Sequence, residues 1–315
     1  MSIKTIPAAL LALSLLTGCA QSPGGAAISG AAGGALARSG TAAPFGAQVM
    51  AAQLEEEAQE AQAAAQAAAE AAAAEAAAKA EAWSRAEHVY SHRGASGYEV
   101  EHTFAAYDLA IEQGSHYIEQ DLVSSKEGTL YVSHDDSAAR IAGVNRSFRA
   151  MVDAEIDQLR TANGEPIHSL AAVFERYGQS VCYVVELKQG EEQVAEFARL
   201  VREYGLEEHV IVQSFFPDAL LSAEEALPEA PKLWLCRSQD AFNRAVGEES
   251  ADIVCVKGTL MTEKNCETCH KQGKKFCVYW TDGEEVRRAI ELGADCYFTN
   301  YTDTALELEK EYRKE

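Results

Sequence analysis

The chain has 315 residues, 47% of them hydrophobic, and a formal net charge of −22. That length holds one large domain or two small ones, with enough apolar residues for a sizeable core although much of the share is alanine gathered in one segment. The negative charge, uninterrupted by any basic run, argues against nucleic acid as a partner and against electrostatic attraction to anionic lipid headgroups.

In chain order, residues 1–18 carry Lys4 and an apolar run from Ile6 to Leu16. The run is too short to span a bilayer and matches the core of a signal peptide. It ends in Leu16-Thr17-Gly18-Cys19, which resembles the bacterial lipoprotein lipobox. Lipid on Cys19 would tether the protein outside the cytoplasm, on a membrane of the bacterial cell envelope, without a transmembrane helix. An ordinary signal peptide with a chance cysteine is the alternative. Residues 19–46, rich in Gly, Ala and Ser, read as a flexible tether. Residues 47–87 are dominated by Ala, Glu and Gln, lack Gly and Pro, and contain the pairs Glu75→Lys79 and Glu81→Arg85. Their helix propensity is close to maximal. No large apolar side chain stands between Leu54 and Trp83, so there is no coiled-coil seam. The segment is predicted to be a helical spacer of roughly 60 Å if fully helical, with partly ordered filler as the other reading.

From residue 88 to 315 the pattern alternates. Strands are predicted at 88–93, 117–123, 181–187, 209–214, 232–236, 252–256, 275–280 and 295–299. Helical patterns separate them at 103–113, 168–177, 191–204, 217–226, 239–247, 261–272, 283–292 and 302–313. Near-continuous apolar runs such as Val181–Leu187 are those of parallel strands buried on both faces. Eight βα units in this span predict a (β/α)₈ TIM barrel. The alternating Thr129–Ser133, after the turn Lys126-Glu127-Gly128, predicts a hairpin on the second strand that carries His134 over the barrel mouth.

Of the eight cysteines, Cys182, Cys236, Cys255, Cys277 and Cys296 fall in predicted strands as small hydrophobes. Cys266 and Cys269 stand in a polar stretch. With His270 they match the haem-attachment pattern C-x-x-C-H, but a local disulfide or two free thiols is the preferred reading.

Glu119 and Asp121 are two apart on one strand and point the same way. Two repelling carboxylates suggest a hard cation, and His92 and His134 nearby suggest acid/base chemistry on a phosphate or ester. His92 with Arg93, Glu119 with Asp121, and Glu186 with Lys188 all end strands, where barrel active sites are built. Trp280 ends a further strand, as packing or as a pocket wall. His88, His102, His116, His168 and His209 read as structural.

At these residues the chain resembles the glycerophosphodiester phosphodiesterase family. That family reads roughly HRG, PENT, IE-x-D, TKDG-x-x-V-x-HD, E-x-K, SF, W-T and ITN. The matching stretches are His92-Arg93-Gly94, Val100-Glu101-His102-Thr103, Ile118-Glu119-Gln120-Asp121, Ser125-Lys126-Glu127-Gly128, His134-Asp135, Glu186-Leu187-Lys188, Ser214-Phe215, Trp280-Thr281 and Phe298-Thr299-Asn300. The resemblance implies a phosphodiesterase that hydrolyses glycerophosphodiesters to glycerol 3-phosphate and an alcohol. It implies Glu119, Asp121 and Glu186 as ligands of Ca²⁺ or Mg²⁺, His92 and His134 as the acid/base pair, and Arg93 and Lys188 as phosphate binders. VEHT in place of PENT leaves Glu101 as a metal ligand or a support for one, with His102 altering how it is held. The short segment 136–167 leaves the headgroup open. Lysophospholipid, sphingolipid or inositol-type diesters are the alternative substrates, and an inactive stalked binding protein is the alternative of another class.

Overall fold

The apolar runs become the staves of a closed barrel in the computed structural model, which describes residues 53, 56–70, 89–279 and 281–312. In chain order the elements are β1 (Val89–Ser91), α1 (Phe104–Glu112), β2 (Tyr117–Ser124), β3 (Leu130–Val132), α2 (Leu170–Tyr177), β4 (Cys182–Leu187), α3 (Val194–Glu203), β5 (Val210–Ser214) and α4 (Pro217–Ala226). They continue with β6 (Lys232–Cys236), α5 (Gln239–Gly247), β7 (Ile253–Lys257), α6 (Glu263–Lys271), β8 (Lys275–Tyr279), α7 (Glu284–Leu292), β9 (Cys296–Thr299) and α8 (Thr302–Tyr312). Strands pair in parallel in the order β1-β9-β8-β7-β6-β5-β4-β2, and β1 meets β2 to close the ring. This is the (β/α)₈ barrel. β3 adds antiparallel to the end of β2, with Leu122 opposite Val132.

Several helices begin later than their apolar pattern because a capping residue precedes them. Thr103, Ser169, Ser238 and Thr262 each accept a backbone N–H from three residues on. The pattern counts Thr103, Ser169 and Thr262 as helix, but they hold extended backbone, whereas the helix after Ser238 begins where the pattern puts it.

Strand alternation divides the core. Val184, Ile211, Leu233, Cys255 and Cys277 fill the barrel interior, while Val185, Val212, Trp234, Val254 and Val278 face the helices. Burying each of these larger side chains contributes about 1.5–3 kcal/mol. A third cluster, built on Val123, Tyr131, Phe148, Met151 and Ile156, packs the segment 136–167 against the β2–β3 hairpin.

Cys266 and Cys269 are buried in this architecture. Their spacing puts both on the inward face of α6, and the seven described cysteines are free thiols. The disulfide is therefore absent, and both thiols sit inside a packed helix–sheet layer that leaves no opening for haem. Residues 56–70 are helical, with Gln66 donating to Glu70 at 3.0 Å. The remainder of the predicted spacer, the tether, the leader with Cys19, and His88 lie outside the described residues. Among the described residues no helix is long and apolar enough to cross a membrane.

Candidate active site

The strand register assembles the site. Asp121 on β2 lies opposite Glu186 on β4, and Glu186 lies opposite Gln213 on β5, so three polar side chains form one row at the C-terminal end of the barrel. Glu119 sits two residues earlier on the same face of β2. All four are buried.

The turn after β1 brings His92 and Arg93 to this row. Arg93 has φ +57 and Gly94 φ +83. A Cβ at Gly94 would lie 2.6 Å from the Ala106 carbonyl carbon, so only glycine lets the turn rest on α1. The turn is pinned by Arg93 N donating to Glu119 Oε2 at 2.9 Å and His92 N donating to Thr299 O at 2.9 Å. His134 arrives from the end of the hairpin, where Ser133 N donates to Asp121 O at 2.9 Å. A cavity of about 230 Å³ opens over the row, with both histidines, Arg93 and Lys188 in its wall.

Each histidine is held through Nδ1. His92 meets Asn300 Oδ1 at 2.7 Å, and His134 meets Asp135 Oδ1 at 2.7 Å. Both acceptors fix the proton on Nδ1 and leave Nε2 as the basic nitrogen. Asn300 is itself held by the Ser96 hydroxyl at 2.9 Å, and Asp135 by Arg140 Nε at 2.6 Å. Burial and the adjacent Arg93 push the His92 imidazole down to about 4. Burial lowers His134 as well.

The carboxylates are unequal. Burial and Asp121 push Glu119 well above the carboxylate range, and the same two causes bring Glu186 up to about 8. Asp121 is held low against its burial by Lys188, His102 and Arg93. Lys188 Nζ stands between Asp121 at 3.1 Å and Glu186 at 3.0 Å, and Arg93 Nε is 3.2 Å from Asp121. Once ionised, the three carboxyls Glu119, Asp121 and Glu186 would outnumber the two cations beside them, and a divalent cation would relieve that excess. The oxygen-rich donor set fits such an ion.

Over residues 92–304, a sequence model of the glycerophosphoryl diester phosphodiesterase family matches the chain. The chain belongs to this family. A glycerophosphodiester phosphodiesterase of Caldanaerobacter subterraneus is 29% identical over 238 residues, covering 70% of this chain and 96% of that protein. The crystal structure of the Agrobacterium tumefaciens glycerophosphodiester phosphodiesterase superposes with a TM-score of 0.63 at 26% identity, over 71% of this chain and 99% of that one. An Oleispira antarctica phosphodiesterase solved with the product sn-glycerol-3-phosphate shares the fold, with a TM-score of 0.66 at 22% identity over 72% of this chain and 98% of that one.

Within this family's frame, the loop Val100–Thr103 sends its two ionisable side chains to different places. Glu101 stands outside the buried row. It pairs with Arg93 at 3.1 Å and takes both arms of Arg140 at 2.8 Å, and these arginines hold its carboxyl at about 2 against burial. His102, read as structural, instead reaches the row. Its Nε2 lies 3.0 Å from Asp121 Oδ2 and its Nδ1 2.9 Å from the Tyr107 hydroxyl. The ligand atoms of His102, Glu119 and Asp121 lie within 4.8 Å of one another, whereas Glu186 is joined to Asp121 through Lys188. A left-handed backbone at His102, φ +57, swings its ring inward, which side-chain type alone does not reveal. Gln213 was also missed. Its Nε2 donates to Glu119 Oε1 at 2.9 Å, and its place just before Ser214-Phe215 was the available signal. Trp280 lies outside the described residues. His168 stacks on Phe104 at 3.6 Å and bonds Glu165, a structural role.

Proposed function

We propose that this protein hydrolyses glycerophosphodiesters to glycerol 3-phosphate and an alcohol, with His92 and His134 as its acid/base pair. The observation that carries the proposal is the pairing of two Nε2-basic histidines with Arg93 and Lys188 in one cavity over buried carboxylates. Arg93 and Lys188 receive the phosphate's non-bridging oxygens through the N–H groups that their carboxylate contacts leave open. His92, kept neutral by burial and Arg93, accepts the proton of the attacking oxygen. His134, more exposed and backed by the Asp135 carboxylate, acts in its imidazolium form, gives its Nε2 proton to the leaving alcohol and keeps the Nδ1 proton on Asp135. Glu119, Asp121 and Glu186 would hold Ca²⁺ or Mg²⁺, with His102 orienting Asp121. When bound, the ion supplies Lewis-acid stabilisation of charge on the phosphoryl oxygens. Glu101 spaces Arg93 and Arg140 rather than joining that set.

Release of glycerol 3-phosphate from glycerophosphoglycerol, followed with and without chelator, tests the reading. Chelator-sensitive release is expected. Turnover of no phosphodiester, whatever the added cation, would sink it and favour a binding protein.

The domain arrangement and localisation belong to the same proposal: a signal peptide over 1–18, a tether over 19–46, a spacer over 47–87 and the catalytic barrel over 88–315. The lipobox-like Leu16–Cys19 supports a lipid anchor on Cys19 facing outside the cytoplasm. Incorporation of a labelled fatty acid, lost in Cys19→Ala, is the expected result. Label that persists in that variant would refute the anchor.

A further inference from the structure

The cavity has a second wall, facing the catalytic one, that the hydrolytic chemistry does not use. It is built from Phe215 after β5, Leu235 and Arg237 at β6, and Tyr279 on β8. Phe215 and Tyr279 meet edge to face, with ring centroids 6.0 Å apart. Two aromatic faces beside a phosphodiester site would form a seat for a quaternary ammonium. That seat is already filled. The Arg237 guanidinium lies 3.7 Å above the Phe215 ring centroid.

Arg237 differs from the other two cations of the cavity in its partners. Arg93 is engaged by Glu101 and Asp121, and Lys188 by Asp121 and Glu186. Among the described residues Arg237 has no carboxylate partner, and its side chain stands at the exposed rim. Stacking on Phe215 orders the guanidinium plane and leaves its N–H groups open to an acceptor. A phosphodiester has two arms. With the phosphate held by Arg93 and Lys188 on the catalytic side of the cavity, this wall is where an arm of the diester would lie. The glycerol arm is neutral, so the charge of the alcohol arm is what Arg237 can sort.

We infer that Arg237, stacked on Phe215, is a specificity-determining residue that selects glycerophosphodiesters whose alcohol bears an anionic group and disfavours those bearing trimethylammonium. The inference rests on the hydrolytic reading above. It deepens that reading by naming the substrate class.

The test compares kcat/KM of the full-length protein, at one fixed divalent cation concentration, on three diesters. These are glycerophosphoinositol 4-phosphate as the anionic substrate, glycerophosphoglycerol as the neutral reference and glycerophosphocholine as the cationic one. The wild type is expected to favour the anionic over the cationic diester by about tenfold, mostly through KM, with the preference shrinking as salt rises. Arg237→Ala should bring both ratios to the neutral reference within about threefold, and Arg237→Glu should invert the order. Arg237→Lys, which keeps the charge but loses the planar stack, should fall between wild type and alanine. The side chain is at the surface, and thermal melts of the variants check that they fold. If all three diesters are cleaved and the ratios stay within twofold of wild type in the Ala and Glu variants, the Arg237 assignment falls while the hydrolytic reading stands. A wild-type preference for glycerophosphocholine also overturns it. Hydrolysis of none of the three overturns both.

Discussion

His92 and His134 reach the cavity with the same tautomer but different backing, a neutral amide for one and a carboxylate for the other. Loss of either Nε2 should remove a proton-transfer group. His92→Gln and His134→Gln are each expected to lower kcat by about 10²- to 10⁴-fold, measured as initial rates of glycerol 3-phosphate release, with unchanged circular dichroism. His102 calls for a different readout, because it touches Asp121 rather than the space over the row. His102→Ala should weaken divalent-cation affinity by about 10- to 100-fold in a calorimetric titration. His102→Asn, whose short amide tolerates the left-handed backbone, should weaken it less. An unchanged affinity in the alanine variant would show that Asp121 is oriented without His102. Side-chain type and strand spacing made Glu119, Asp121, Glu186 and the two outer histidines legible in the sequence. His102 and Gln213 were not legible, because a positive φ and a cross-strand register bring them in, and neither leaves a periodic trace.

The βα alternation was legible nearly to its ends because each strand is a buried apolar run and each helix an amphipathic one, two signals with different periods. The segment 136–167 was not, since its short turns have no sustained period. It is held from outside itself. Glu165 accepts from the N–H groups of Phe104 at 2.8 Å and Ala105 at 3.1 Å, satisfying the start of α1. Phe148, fully buried, anchors the segment's own cluster against Val123 and Tyr131 of the hairpin. Phe148→Ala should therefore cost about 3–5 kcal/mol in a denaturant titration. Amide exchange should rise over 136–167 and in β3 while β5–β8 stay protected, because the cluster is separate from the barrel core. Since β3 delivers His134, kcat should fall as well. Equal loss of protection in β5–β8 would mean that this segment and the barrel unfold as one unit.

At the scale of the molecule, the buried carboxylate row sets a pH dependence that a cation should reverse. The Glu186 carboxyl stands at about 8 in the folded protein against an ordinary value of 4.5, so the folded state holds a proton that the unfolded state has released. Between those values the folded state binds more protons, and stability falls as pH rises. Glu119 is raised too and acts in the same direction. His92 acts oppositely and lower down. Its folded value of about 4 lies below the ordinary 6.5, so its contribution is complete above pH 6.5 and is lost as pH falls toward 4. Asp121, held low, loses its contribution only in acid below its ordinary value of 3.8. From pH 6.5 to 8 the raised carboxylates therefore set the sign. The chelator-treated protein is expected to lose melting temperature across that window, as its row is forced to ionise without compensation. A divalent cation binds the ionised row, so saturating Ca²⁺ or Mg²⁺ should raise the melting temperature more at pH 8 than at pH 6.5. Glu186→Gln removes the proton-linked group and should flatten the chelated profile while reducing the cation-dependent rise. A cation-induced shift of the same size at both pH values would show that ion binding is not coupled to ionisation of this row, and would take Glu119 and Glu186 out of the ligand set.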